Sequence, residues 1–124
     1  MAEIKGVYEG LKISIKNNST SAIPAYRLLT FSAGKIALAA TNSTSIIGVS
    51  GFNEIDSNDG STPVDKFVPV VLNGVVYITA STDISYGAEV YADDEGKVST
   101  TGTLLVGYAL DDAETDEVIP VLLI

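Results

Sequence analysis

Short apolar runs alternate with polar clusters along the whole chain, and this pattern is typical of an all-β protein. In residues 11–16, Leu, Ile and Ile alternate with Lys, Ser and Lys. This predicts a half-buried strand, because successive side chains of a strand point to opposite faces. The other apolar runs are rich in Val, Ile, Thr and Tyr, which favour strands. Ten strands are predicted, at residues 11–16, 26–31, 35–39, 46–52, 66–72, 75–80, 89–92, 97–99, 104–110 and 117–123.

Turn and proline signals indicate how these strands are arranged. Asn73-Gly74 lies between two apolar runs, and because both residues tolerate a positive φ it predicts a type I′ hairpin joining the fifth and sixth strands. Pro69 and Pro120 lie inside the final apolar run of each half of the chain. Since proline cannot donate a ladder hydrogen bond, we expect both at a sheet edge or a bulge.

The two halves of the chain share an order of motifs. Each half contains a Gly-Lys-apolar triplet, a Ser/Thr stretch, an apolar motif with glycine at its third position, an acidic loop and an apolar run interrupted by proline. The motifs read "GKI", "IIGV" and "FVPVVL" in the first half and "GKV", "LVGY" and "VIPVLL" in the second. The shared Gly, Lys and Pro argue against a mere likeness of β composition. We predict one domain, residues 11–124, built from a pseudo-repeat of 11–72 and 75–124 closing on a common core, since neither unit would bury its apolar face alone.

Composition and charge narrow the class of protein. The chain has 124 residues, the size of one domain, and its 46% apolar content is enough to build a core. Sixteen acidic residues against seven basic residues give a net charge of −9, which repels phosphate backbones and anionic lipid headgroups. We therefore predict no nucleic-acid partner and no membrane partner. The apolar runs are too short to span a bilayer and the first residues lack signal-peptide features, so we expect a soluble protein made inside the cell.

Missing residue types limit the available chemistry. The chain contains no Cys, His or Trp. Without Cys there is neither a disulfide nor a thiolate metal site, and without His the commonest general base and zinc ligand are absent. A serine hydrolase is disfavoured because no His can activate a serine. We predict a protein that is not an enzyme and needs no cofactor.

Three acidic segments are candidates for cation binding, and each also has a simpler interpretation. "DSNDG" at 56–60 is similar to the start of a calcium loop, but its glycine falls at position five and Phe67 stands where that loop needs glutamate. An Asx-rich turn is the simpler interpretation. "DDEG" at 93–96 predicts a tight turn. Residues 111–117 hold carboxylates at five positions, which predicts a solvated hairpin loop or, alternatively, a surface for a basic partner or a weakly bound divalent ion.

The two ends of the chain each allow two interpretations. The N-terminal residues 1–10 are either a frayed terminus or an arm that lies on a neighbouring subunit. In the second case Ile4, Val7 and Tyr8 are the apolar anchors and the candidate subunit or capsid contacts. The C-terminal "VIPVLLI" pairs either within its own barrel, which we favour, or with a strand of another subunit, because a free apolar edge invites pairing.

The order of motifs from Asn73 to the C-terminus resembles a known family. An apolar strand is followed by a polar "ST.I..G" link, "VY", "GKV", a Ser/Thr stretch, "LLVGYAL", an acidic link and a closing apolar strand. The first half shows the same pattern through Ile23, the "GKI" triplet, Gly48-Val49 and residues 68–72. In this respect the chain is similar to the head decoration (capsid cement or stabilising) proteins of tailed bacteriophages.

The resemblance implies a fold, an assembly and a role. The fold would be a small all-β barrel of the β-tulip type, assembled as a homotrimer. The protein would bind the outer surface of the expanded head, bridge major capsid subunits and stabilise the virion after synthesis in the host cytoplasm, with the arm of residues 1–10 bridging subunits. Two alternatives stay open: another phage structural β module, such as a tail-tube or fibre-base subunit, and a small ligand- or carbohydrate-binding β-barrel.

Overall fold

The computed structural model describes residues 10–124, which form ten β-strands and one short 3₁₀ helix, Asp94–Gly96. Each strand overlaps a stretch predicted from the sequence, so the all-β prediction is confirmed. Within the described residues, no helix is long and apolar enough to cross a membrane. The strands are β1 (Lys12–Lys16), β2 (Leu28–Ser32), β3 (Lys35–Leu38), β4 (Gly48–Ser50), β5 (Phe67–Val71), β6 (Val75–Thr79), β7 (Glu89–Ala92), β8 (Val98–Ser99), β9 (Leu105–Ala109) and β10 (Val118–Leu123).

The strands form two antiparallel five-stranded sheets with the same strand order. The first sheet runs β1-β5-β4-β2-β3 and the second runs β6-β10-β9-β7-β8. Each strand of the second sheet therefore occupies the place of the strand five positions earlier in the first. In both sheets the last strand, β5 or β10, lies between two neighbours and not at an edge.

Each sheet curls until its two edge strands approach each other at one point. In the second sheet, Ala80 at the end of β6 forms an isolated parallel bridge with Val98 of β8. In the first sheet, the side chain of Asn18 after β1 accepts a hydrogen bond from the Ile36 N–H at 2.9 Å and donates to the Gly34 carbonyl at 3.2 Å. The side-chain amide thus replaces a strand backbone at the equivalent point. The curled sheets remain two sheets and do not merge into one continuous barrel.

The core consists of one cluster shared by the two sheets and one confined to the first. Leu28 and Leu29 are neighbours in β2, point to opposite sides and are both fully buried. Leu28 joins Val49 and Val71 of the first sheet in a cluster with the inner face of the second sheet. Leu29 belongs to a smaller cluster formed by the first sheet and its loops. From the second half, the shared cluster contains Val76, Ile78, Ala80, Ile84, Val90, Ala92, Val98, Val106, Ala109, Ala113, Ile119 and Val121.

The hairpin predicted at Asn73-Gly74 is wrong. Gly74 has a φ of 87°, but Asn73 is not among the residues with positive φ, and β5 and β6 lie in different sheets. Because β5 already pairs with β1 on one side and β4 on the other, it has no edge left for β6. Asn73 instead anchors the first described residues: its carbonyl accepts from the Gly10 N–H at 3.0 Å and its side chain from the Leu11 N–H at 2.9 Å.

The two strand prolines lie neither on edge strands nor at a bulge, contrary to the prediction, because β5 and β10 are central strands and their pairing with β1 and β6 is continuous through Pro69 and Pro120. The carbonyl of Pro69 accepts from the Gly51 N–H at 2.7 Å, and that of Pro120 from the Leu110 N–H at 2.8 Å. Gly51 and Leu110 are the first residues past the ends of β4 and β9. Since the N–H and C=O positions of one residue face the same side of an antiparallel strand, each proline nitrogen points to where the neighbouring strand has already ended. A central strand therefore accepts proline there at little cost in pairing.

Candidate interaction surfaces

The outer face of the second sheet carries exposed apolar side chains from three adjacent strands. Leu122 of β10 lies opposite Val75 of β6 on one side and Tyr108 of β9 on the other, and Tyr77 of β6 lies opposite Pro120. Tyr77, Tyr108 and Leu122 are 45%, 38% and 42% exposed. We call this surface the apolar strip, and its residues are Val75, Tyr77, Tyr108, Val118, Pro120 and Leu122.

The sequence of β10 fills the core and forms the strip at the same time. Ile119 and Val121 are fully buried, whereas Val118 and Leu122 are exposed on the other face. Because strand side chains alternate, a continuous apolar run places apolar groups on both faces. β10 pairs with β6 and β9, which confirms the favoured prediction that the C-terminal run pairs within its own unit. Its second apolar face lies on the surface of the described chain.

The apolar strip consists of uncharged residues in a strongly acidic protein. At its margin, Glu89 of β7 lies opposite Tyr108 and accepts a hydrogen bond from the Tyr91 hydroxyl at 3.2 Å. The charge of Glu89 raises the pKa of Tyr91. Exposed apolar patches mark interaction sites, and tyrosine is enriched in interfaces. In a chain of net charge −9, an uncharged face is where two copies meet with least repulsion.

The carboxylates of residues 111–117 bond to groups within the protein. Asp112 accepts a hydrogen bond from the Tyr86 N–H at 2.8 Å, and Asp116 forms an ion pair with Lys97 at 3.0 Å. These contacts hold the β9–β10 connection, whose carboxylates are exposed as predicted for a solvated hairpin loop. Across residues 10–124, no group of three acidic side chains is placed to hold a metal ion.

Residues 56–60 form a hydrogen-bonded turn around Asp59. One oxygen of the Asp59 carboxylate accepts from the Ser57 hydroxyl, from the Ser61 hydroxyl at 2.6 Å and from the Ser61 N–H at 3.0 Å. These bonds favour the charged carboxylate, with the largest contribution from Ser57, and lower the pKa of Asp59 to about 2. The geometry therefore matches the Asx-rich turn expected from the sequence.

We expect the Asp59 carboxylate to titrate near pH 2 in the folded protein, with its usual pKa being 3.8. Because the folded-state pKa is the lower one, the contribution of Asp59 to stability is complete above about pH 5 and is lost as the pH falls through about 2. Ser57→Ala removes the largest cause and should raise the midpoint towards 3.8. A carboxyl-carbon NMR titration measures this, with Ser32→Ala as a control that leaves the midpoint unchanged. A wild-type midpoint near the usual value would contradict the hydrogen bonds.

The predicted N-terminal contacts are not among the residues that the structure describes, and the apolar strip is a surface that was not predicted from the sequence. Ile4, Val7 and Tyr8 lie outside the described residues, so the arm stays a prediction. Sequence reasoning did not identify the apolar strip. Its signal is the unbroken apolar character of "VIPVLLI", which predicts two apolar faces where a core needs only one.

The fold defines an all-β protein of two five-stranded sheets, and the apolar strip lies on the outer face of the second sheet. A family model described as phage cement protein matches residues 7–123. The chain therefore belongs to the phage cement protein family, which gives it a structural, capsid-associated role and confirms the resemblance seen in the sequence. The head fiber gp8.5 N base of bacteriophage phi29 has a similar fold, with a TM-score of 0.71 and 21% identity over 92% of this chain and 95% of that chain. No curated protein matches the chain significantly.

Proposed function

We propose that this protein decorates the outer surface of the expanded phage head, bridges neighbouring major capsid subunits and strengthens the shell. The observation that carries the proposal is the match of the phage cement family over residues 7–123. Such a role rests on binding and requires neither catalysis nor a cofactor. The net charge of −9 disfavours contact with packaged DNA, which supports a place on the outside of the head.

We propose the following division of the chain. Residues 11–124 form one domain with a pseudo-repeat of 11–72 and 75–124, and residues 1–10 form a subunit-bridging arm. The identical strand order of the two sheets and their shared core cluster support the first part. The attachment of Gly10 to Asn73 puts the start of the domain beside the link between the sheets, from which an arm would depart.

The protein is proposed to act as a homotrimer assembled through the apolar strip. Covering Tyr77, Tyr108 and Leu122 removes apolar surface from water without burying a charge, and this combination is typical of the centre of an interface. A trimer also places three copies of each capsid contact on one particle. Because the capsid is a repeating lattice, several weak contacts then combine into tight binding.

Leu122→Lys is expected to convert the trimer into a monomer of 12.9 kDa and to weaken binding to expanded heads. The reason is that the substitution places a charge in the middle of the apolar strip, and a monomer loses the avidity of three linked contacts. Light scattering gives the mass, and co-sedimentation with expanded heads of the parent phage gives the binding.

Phe31→Lys is the matched control, because Phe31 is 60% exposed on the first sheet and the charge change is the same. It should keep the trimer mass. A monomeric wild-type protein, or a trimeric Leu122→Lys variant, contradicts assembly through the strip. Wild-type protein that ignores expanded heads contradicts the decoration role itself.

A second candidate function is the base of a head fibre. The similar fold of the head fiber gp8.5 N base favours it, since that protein is also associated with a phage head. Electron microscopy of the parent virions separates the two: a decoration protein forms compact knobs on the head, whereas a fibre base carries a projection.

A further inference from the structure

The connection between β4 and β5 is twice as long as its counterpart in the second sheet. Residues 51–66 join β4 to β5, whereas residues 110–117 join β9 to β10. We call residues 51–66 the long loop. Loops that extend from a rigid scaffold carry binding residues more often than the scaffold does. The two sheets have the same strand order, but the long loop has no counterpart of equal length in the second sheet.

Hydrogen bonds hold the long loop in a defined conformation. Asn53 is buried, and its side-chain oxygen accepts from the N–H groups of Ile55 at 3.1 Å and Asp56 at 3.2 Å. The Asn53 amide nitrogen donates to the Thr62 hydroxyl at 3.1 Å. Thr62 in turn exchanges two backbone hydrogen bonds, of 2.8 and 2.9 Å, with the core residue Ile23. The loop is therefore fastened to the core of the first sheet.

This fastened loop and the adjoining strand β5 hold large apolar side chains in water. Ile55 is 92% exposed and Phe67 59% exposed, and together with Phe52 and Pro69 they line an open groove of about 360 Å³. Gly60 allows this arrangement, because a Cβ there would lie 2.3 Å from the Phe52 ring. Covering such a surface with a partner removes apolar area from water at little cost in ordering the loop. We call this surface the loop patch, and its residues are Phe52, Ile55, Phe67 and Pro69.

The net charge at the loop patch is negative. Two carboxylates, Glu54 and Asp56, line the groove, and Lys16 of β1 lies opposite Phe67. A second copy of this chain, with its charge of −9, would meet like charges here. The uncharged apolar strip is the better surface for self-association. The loop patch instead complements a face that carries an apolar side chain flanked by Lys or Arg.

We propose that the loop patch is the docking surface for the major capsid protein, through a capsid face with an apolar centre and a basic rim. Ile55 enters this face, and Glu54 and Asp56 pair with its basic side chains. The inference rests on the proposed decoration function and adds the surface that performs it. The two surfaces then have different partners. The apolar strip contacts other copies of this chain, and the loop patch contacts the capsid.

Ile55→Ser is expected to reduce the affinity for expanded heads by at least about tenfold while leaving the trimer mass unchanged, since a central buried contact of this kind carries a large share of binding energy. Ile55 is 92% exposed, so its replacement should also leave the thermal midpoint unchanged. Val64→Ser is the matched control, because Val64 is an exposed apolar residue of the same loop outside the groove lining. It should bind as the wild type does.

A second pair of variants tests the charges. Glu54→Gln combined with Asp56→Asn should weaken head binding at low salt, with a smaller deficit at high salt because ions screen the interaction. Asp111→Asn combined with Glu114→Gln makes the same charge change elsewhere and should have no such effect.

The outcomes separate the two levels of the proposal. Equal binding of heads by wild type and Ile55→Ser overturns the loop patch and leaves the decoration function intact. Loss of the trimer in Ile55→Ser also overturns it, since the residue would then join copies and not the capsid. Wild-type protein that does not bind heads overturns the decoration function and the loop patch together.

Discussion

Replacing Leu28 with alanine should lower the free energy of unfolding by about 3 kcal/mol and destabilise both sheets together. Leu28 belongs to β2 of the first sheet, yet its side chain is fully buried in the cluster that contains Ile78 and Ile119 of the second sheet. Removing most of this side chain leaves a cavity between the sheets, because close-packed surroundings relax only in part. Urea unfolding of the variant and the wild type measures the loss.

Two spectroscopic signals show whether the sheets unfold as one unit. Far-UV circular dichroism follows both sheets, while tyrosine fluorescence is weighted to the second, which contains Tyr77, Tyr91 and Tyr108. Because the sheets share a core, the two unfolding curves should coincide for Leu28→Ala as for the wild type. Leu11→Ala is the control: the same change at a 61% exposed position should cost less than about 0.5 kcal/mol. Separate transitions would contradict a shared core.

The positions of the strands could be predicted from the sequence because the signals for them are local. Alternation, β-branched residues and bounding Gly, Ser, Asn and Asp are all visible in short windows, and every predicted strand is present. Which strands belong to which sheet could not be predicted in this way. Asn73-Gly74 has the right chemistry for a hairpin, but pairing depends on whether an edge of β5 is free, and β1 and β4 occupy both edges. That information is distributed over residues far apart in the chain.

The apolar strip and the loop patch also depend on contacts between distant residues, which local sequence patterns do not reveal. An apolar run such as "VIPVLLI" predicts two apolar faces, but the sequence does not say whether another layer covers the second face. Phe52 falls at the end of the predicted strand 46–52, and Ile55 stands in a polar stretch with no periodicity, so no pattern marks either residue as exposed and ordered in a loop. Their arrangement depends on Asn53, whose side chain has four hydrogen-bonding partners, among them the distant Thr62 and Phe67. Only the unequal lengths of the two acidic connections hint at the long loop.

Glycine in the third position of "IIGV" and "LVGY" leads to the second large expected effect. Gly48 of β4 and Gly107 of β9 occupy corresponding places in the two sheets. A Cβ on Gly48 would lie 2.5 Å from the Val71 carbonyl oxygen, and a Cβ on Gly107 would lie 2.0 Å from that of Leu122. Neither glycine has a positive φ, so the requirement comes from the close approach of a neighbouring backbone. A backbone cannot rotate out of the way as a side chain can.

Gly107→Ala should therefore destabilise the protein by about 3 kcal/mol or more, the upper range for overpacking, since β10 itself must move to admit one methyl group. Gly51→Ala is the matched control, because a Cβ there meets Pro69 at an ordinary 3.6 Å and the backbone has no positive φ. Urea unfolding should place Gly51→Ala within about 0.5 kcal/mol of the wild type. A similarly small effect for Gly107→Ala would show that β10 shifts freely. The displaced strand also carries Leu122, so the same methyl group should disturb the apolar strip and lower the fraction of the proposed trimer even where the chain stays folded.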